Sequence, residues 1–158
     1  MRTFQGGFEA RGRRFAIVAA RFNEVVVQHL VEGAEACLAK HGVDTDDVDL
    51  AWTPGAFEVP MVARRLAETG AYDAVICLGA VVRGETSHFD YVAGAAATGI
   101  REAAVATGVP VFFGILTTET FAQAVDRAGG KHGNKGWDAA LAAMEMAGLL
   151  EALPKRES

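Results

Sequence analysis

The segment Leu78–Val92, LGAVVRGETSHFDYV, is where the chain concentrates side chains able to do chemistry. An apolar run stops at Gly79, and after three more apolar residues Arg83, Gly84, Glu85, Thr86, Ser87 and His88 follow as one unbroken polar block. An imidazole titrates close to neutral pH, so His88 is suited to move a proton between a substrate's oxygen and nitrogen atoms. Spacing alone favours a structural or surface histidine, and it is the position at a strand end that brings a chemical role level with that reading. His29, His41 and His132 have no such position and read as structural or surface residues.

The same stretch carries a phosphate signal. GAVVRGET (79–86) follows the spacing G-x-x-x-x-G-K-[ST] except that Glu85 occupies the lysine position. Without that lysine, nucleotide hydrolysis is not expected. The backbone logic survives the change: Gly84 lets the chain turn, and the amides of Glu85 and Thr86, near the start of a helix, can still face one phosphate group. No G-x-G-x-x-G follows the first strand, so the usual fingerprint of a dinucleotide cofactor is missing. Phe22, between Arg21 and Asn23, is either core or a plate on which a flat ring can stack. Arg127, Lys131 and Lys135 surround the turn GGKHGNKG (129–136), as a solvated cluster or as an anion site.

These residues need a frame. YDAVICLGAVV (72–82) has no polar alternation, which is how a strand buried on both faces of a parallel sheet reads. FAIVAA (15–20), VDLAWT (48–53) and VPVFFGIL (109–116) are the other predicted strands. Asn23 is expected to cap a helix from Glu24 to about Lys40, with a stripe of Val27, Leu30, Val31, Ala34 and Leu38, ended by Gly42 in a left-handed conformation. AFEVPMVARRLAET (56–69) is a second helix with Pro60 in its first turn. The third, Phe89 to Thr107, is rich in small residues that suit close packing or a subunit contact. Thr117 or Thr118 is expected to cap a helix carrying Phe121, Ala124, Val125 and Ala128, and a last helix places Trp137, Leu141, Met144 and Gly148 on one face. TFQGGFE (3–9) is a weak extended segment suited to adding to a sheet edge, its own or a neighbour's, and the polar tail from Pro154 is expected to fray.

Strand and helix alternate throughout, which implies an α/β, three-layer, flavodoxin-like sandwich: four parallel strands with helices on both faces. The strand-to-helix loops 21–23, 53–58, 81–88 and 114–118 then open on one edge, converging Phe22, Asn23, Phe57, Glu58, Arg83, Thr86 and His88 on a single rim.

Composition narrows the classes. A chain of 158 residues is the size of one domain, and 51% hydrophobic with 22% charged residues excludes a disordered polymer. No apolar run approaches the ~20 residues of a membrane span, and the N-terminus lacks the pattern of a secretory signal, so a cytoplasmic location is expected. A net charge of −5 works against nucleic acid as a partner. Cys37 and Cys77 form no CxxC and stand near no metal-ligand spacing, so buried reduced thiols are expected and no metal site.

Five segments in order, Arg21-Phe22-Asn23, PGAFEVP (54–60), GAVVRGETSHFDYV (79–92), GVPVFFGILTTET (108–120) and RAGGKHGNKGWDAA (127–140), resemble the 6,7-dimethyl-8-ribityllumazine synthase family, over about Thr3 to Leu149. The resemblance implies condensation of 5-amino-6-(D-ribitylamino)uracil with 3,4-dihydroxy-2-butanone 4-phosphate, with loss of phosphate and water and no cofactor. It implies that Phe22 stacks on the pyrimidine with Asn23 beside it, that Ala56, Phe57 and Glu58 bind the ribityl chain, and that Ala80, Val81 and Val82 flank the ring. Gly84, Glu85, Thr86 and Arg127 would hold the phosphate and His88 would transfer protons. Position 85 varies in the family, so Glu85 is expected to offer its amide while its carboxylate turns away. Phe113, Arg127 and Lys135 would come from an adjacent subunit of a homo-oligomer, a pentamer that the short turn GGKHGNKG associates with sixty-subunit icosahedral shells. The alternatives are an archaeal-type riboflavin synthase and a flavin-binding, flavodoxin-like module without turnover.

Overall fold

Segments apolar at both odd and even positions leave no face for solvent, so they are stable only with a layer packed on each side. The computed structural model describes residues 1–155 and arranges them in that way. Four strands, β1 (Phe15–Ala20), β2 (Val48–Thr53), β3 (Ala74–Val82) and β4 (Val111–Thr118), form a wholly parallel sheet in the order β2-β1-β3-β4. The two most buried strands, β1 and β3, are central, with Ile17 opposite Ile76.

Alternating residues of β1 divide between two cores. Phe15, Ile17 and Ala19 face α1 (Glu24–Lys40) and α5 (Lys135–Ala152), packing with Leu30, Leu38, Ile76, Leu78 and Met144. Ala16, Val18 and Ala20 face α2 (Val59–Glu68) and α3 (His88–Thr107), packing with Ala63, Val75, Cys77, Ile100 and Ile115. The result is the expected three-layer α/β sandwich of flavodoxin-like form. The stripe Val27, Leu30, Val31, Ala34 and Leu38 is buried, and Gly42 takes φ 92° just beyond the helix end, as expected.

Several local expectations are corrected. Asn23 takes the N-cap position of α1, its carbonyl accepting from the Val26 and Val27 amides, but its backbone is left-handed and its side chain caps nothing, bonding elsewhere. The first turn of the predicted second helix, Ala56–Glu58, is a 3-10 turn, so Pro60 enters near the start of α2. Strand β4 runs through Thr117 and Thr118, paired with Val81 and Val82, because β-branched threonines fit a pleated ladder. The cap of the short helix α4 (Phe121–Asp126) is therefore Thr120, in a capping box with Gln123. Ala128 lies outside that helix, in a two-stranded antiparallel hairpin of β5 (Ala128–Gly130) and β6 (Gly133–Asn134).

On α5 the buried face is Gly136, Ala139, Ala140, Ala143, Met144 and Ala147, while Trp137 and Leu141 flank it, half-buried. The alanines win the interior because α1 crosses α5 closely. A Cβ on Gly136 would overlap the Leu30 carbonyl oxygen, and one on Gly33 would overlap the Asn134 side chain. Residues 3–9 form no strand with the sheet of their own chain. Of the tail from Pro154, Pro154 and Lys155 are exposed and irregular, and residues 156–158 lie outside the described residues.

Candidate active site

Parallel strands direct their carboxyl ends the same way, so the loops leaving them share a rim. Two backbone bonds tie the loop after β1 to the loop after β2: Arg21 N–H donates to the Thr53 carbonyl at 2.8 Å and Phe22 N–H to the Pro54 carbonyl at 3.1 Å. Asn23, at φ 63° and ψ 41°, donates from Nδ2 to the Ala80 carbonyl at 2.9 Å and so ties the same loop to β3. Thr53, buried, donates its hydroxyl to the Gly55 carbonyl at 2.8 Å and tightens the second loop. Phe22 is left 73% exposed, its ring on the rim and its backbone fixed beneath it.

These loops bound a cavity of about 680 Å³ whose walls include Phe22, Asn23, Ala56, Phe57, Glu58, Ala80, Val81, Val82, Gly84, Thr86 and His88. Three expected loops thus converge. Glu85 is exposed and is not part of the wall. The fourth loop was expected at 114–118, but those residues belong to β4, and the chain leaves the sheet only at Glu119 and Thr120. Pro54, Gly55, Phe89, Tyr91 and Val92 also line the cavity without having been singled out. Tyr91 was legible as the residue one helical turn beyond His88, on the same side of α3.

His88 opens α3, and its N–H donates to the Thr86 hydroxyl at 3.4 Å. Among the described residues, none of the amides of Gly84, Glu85, Thr86 and Ser87 has an acceptor within the chain. A run of unpaired N–H groups before a 20-residue helix is suited to receive an anion.

Charge is the missing component. Arg83, the nearest cation in sequence, turns away: Nε meets Glu119 at 2.7 Å, an Nη meets Asp90 at 3.4 Å, and the guanidinium lies over the Phe89 ring at 4.3 Å. No lysine or arginine lines the cavity, and Glu58 brings a negative charge to it. Arg127 and Lys135 are elsewhere, with Phe113, Thr117, His132 and Asp138 around a separate cleft of about 350 Å³. That cleft borders β4, one of the two edge strands of the sheet, and Phe113 is 38% exposed there. Arg127 donates to the Gln123 carbonyl at 3.0 Å, and the Lys135 amide to the Arg127 carbonyl at 2.8 Å, so the two are held as a unit. One chain therefore assembles the aromatic plate, the imidazole and the amide cradle, and presents its spare cations on another face.

The opposite end of the sheet has a cleft of similar size, about 680 Å³, between Arg13, Tyr72, Asp73, Val109 and Glu151. Its Arg13 is engaged by Asp73 and Glu151 and its Tyr72 by Asp49, while Arg11 also lines it. The candidates for chemistry read from the sequence, Phe22, Glu58, Thr86 and His88, lie instead on the rim around His88. No helix among the described residues is long and apolar enough to cross a membrane. A family model described as 6,7-dimethyl-8-ribityllumazine synthase matches residues 12–151, a span that contains every residue of both clefts that carry the site candidates. On that match the chain belongs to the 6,7-dimethyl-8-ribityllumazine synthase family.

Proposed function

We propose that the protein, a single domain acting in the cytoplasm, is a transferase that condenses 5-amino-6-(D-ribitylamino)uracil with 3,4-dihydroxy-2-butanone 4-phosphate to 6,7-dimethyl-8-ribityllumazine. Phosphate and water leave. The observation that carries this reading is the convergence of Phe22, Ala56–Glu58, Ala80–Val82, Thr86 and His88 on one cavity, in a chain of this family.

The pyrimidine stacks on Phe22 against the strand end Ala80–Val82, and the Glu58 carboxylate accepts hydrogen bonds from ribityl hydroxyls with Ala56 and Phe57 beside it. The ketone phosphate lies over the amides of Gly84, Glu85 and Thr86, the Glu85 carboxylate pointing to solvent. His88 moves protons as the amine attacks the ketone and as the phosphate departs. A dianion leaving group needs a cation that the cavity lacks, and Arg127 of an adjacent copy supplies it, with Lys135 and Phe113 closing the ring pocket. The site is thus completed between subunits of a homo-oligomer, a pentamer that assembles further into a sixty-subunit shell. The extended N-terminal residues 3–9 add to a neighbour's sheet edge.

Incubating purified protein with both substrates tests the assignment. Phosphate release in step with lumazine fluorescence is the expected outcome. Riboflavin formed from lumazine alone would identify the archaeal-type synthase chemistry instead, and a bound flavin with neither substrate consumed would identify a binding module. A mass near sixty times 16.6 kDa is expected in sedimentation, and one near five times that value would limit the assembly to the pentamer.

A further inference from the structure

We infer that Asn23 is a positioning residue for the Phe22 ring, acting through the Ala80 carbonyl and not through contact with substrate; the inference rests on the proposed function. Asn23 is the only non-glycine residue with positive φ among the described residues, at φ 63° and ψ 41°. L-residues avoid that region, and asparagine tolerates it best of the non-glycine residues. A helix-capping role would explain an asparagine here, but the side chain makes no capping bond.

The left-handed turn instead carries Nδ2 across the rim to the Ala80 carbonyl, 57 residues along the chain, at 2.9 Å. The Nδ2 donor is thereby committed to backbone and turned toward β3, while the residue itself remains on the cavity wall. On the other side, Phe22 N–H is held by the Pro54 carbonyl. Phe22 thus sits between two anchors, one on each neighbouring strand end, while its own ring is largely exposed and touches little that would fix it. Ala80 begins the strand end against which the substrate ring is proposed to lie. The Asn23–Ala80 bond therefore sets the gap between the two walls of the ring slot. A slot of wrong width weakens stacking and leaves proton transfer at His88 unaffected.

The test is a double-mutant cycle between Asn23→Gly and Phe22→Ala. Glycine keeps the left-handed backbone and removes only the side-chain bridge. In the otherwise unaltered protein, Asn23→Gly is expected to raise KM for the pyrimidine about tenfold, with kcat within about twofold, because stacking is uniform binding. With Phe22→Ala already present, the same substitution is expected to change KM by less than about twofold, since the group it positions is gone. A tenfold effect that persists without the Phe22 ring would show direct contact with substrate and overturn the inference, and so would an unchanged KM in the first background. If Asn23→Gly fails to fold, Asn23→Asp, which also tolerates left-handed backbone but has no donor for Ala80, enters the same cycle with the same expectations. Absence of turnover by the unsubstituted protein would remove the functional reading itself, and this inference with it. Additive effects in an active enzyme would remove the inference alone.

Discussion

His88 stands on the wall of a cavity whose other residues are proposed to bind and align substrates, and that division sets what its removal should do. Holding an amine and a ketone in contact supplies much of the acceleration without any acid or base. His88→Ala is therefore expected to lower kcat by no more than about a hundredfold, the low end of what one acid–base group contributes, with both KM values little changed. Steady-state kinetics with each substrate varied decides it, and total loss of turnover with both substrates still bound would contradict a mainly positional mechanism. The two thiols supply a second residue-scale expectation. Cys37 and Cys77 are both free and buried. Burial pushes Cys37 up from 9.0 to about 11, and burial pushes Cys77 higher still. Above the ordinary thiol pKa the unfolded chain gives up protons that the folded chain retains, so unfolding free energy falls as pH rises through that window. Tyr72, held protonated by its hydrogen bond to Asp49, acts in the same direction. The fall in urea midpoint between about pH 9 and about pH 11 should accordingly be shallower in the Cys37→Ala, Cys77→Ala double variant than in the parent, without vanishing. Equal slopes would mean that neither thiol is withheld from solvent by folding.

Elements whose residues had only one partner to satisfy were the legible ones. A stripe of Val27, Leu30, Val31, Ala34 and Leu38 permits one helix facing one core, and the apolar continuity of β1 and β3 permits only central strands. Boundaries failed where two local preferences competed. Thr117 and Thr118 are good caps and good strand residues, and pairing with Val81 and Val82 decided between them, which sequence spacing does not display. Thr120 with Gln123 carried the true capping-box spacing all along. Asn23 misled in a similar way, because the residue type that caps helices also tolerates left-handed backbone. The close contact of α1 with α5 was hidden for another reason: alanines and glycines carry little periodicity signal, yet they let the backbones meet. Gly136→Ala tests that contact. Its Cβ would meet the Leu30 carbonyl, backbone that cannot rotate aside, so a loss of about 3 kcal/mol in unfolding free energy is expected. Urea denaturation measures it, and an unchanged midpoint would show that α5 can slide along α1 without cost.

At the scale of the whole molecule the residues proposed for the site fall in two clefts that do not meet. The cavity around His88 holds Phe22 and unpaired amides but no cation, and the cleft beside the edge strand β4 holds Arg127, Lys135 and Phe113 but neither His88 nor the amides of residues 84–87. Sequence order could bring the first set together because parallel strands must share a rim. It could not say which copy of the chain completes it, since strand order carries no information about neighbours. If each active site joins the His88 cavity of one subunit to the Arg127 cleft of the next, a His88→Ala subunit and an Arg127→Ala subunit are damaged in complementary halves. Each homo-oligomer alone should be slow, the second because a departing phosphate has lost its guanidinium. Unfolded together in equal amounts and reassembled, the two chains should form mixed rings in which about a quarter of the interfaces pair an intact imidazole with an intact guanidinium. Activity should then rise to about a quarter of that of the parent protein refolded identically, well above the mean of the two variants. The recovered sites should show the parent's KM for the ketone phosphate, because nothing in those interfaces is altered. Activity equal to the mean of the separate variants, in particles shown by mass to be mixed, would place Arg127 and His88 in the same subunit's site and refute completion across the seam.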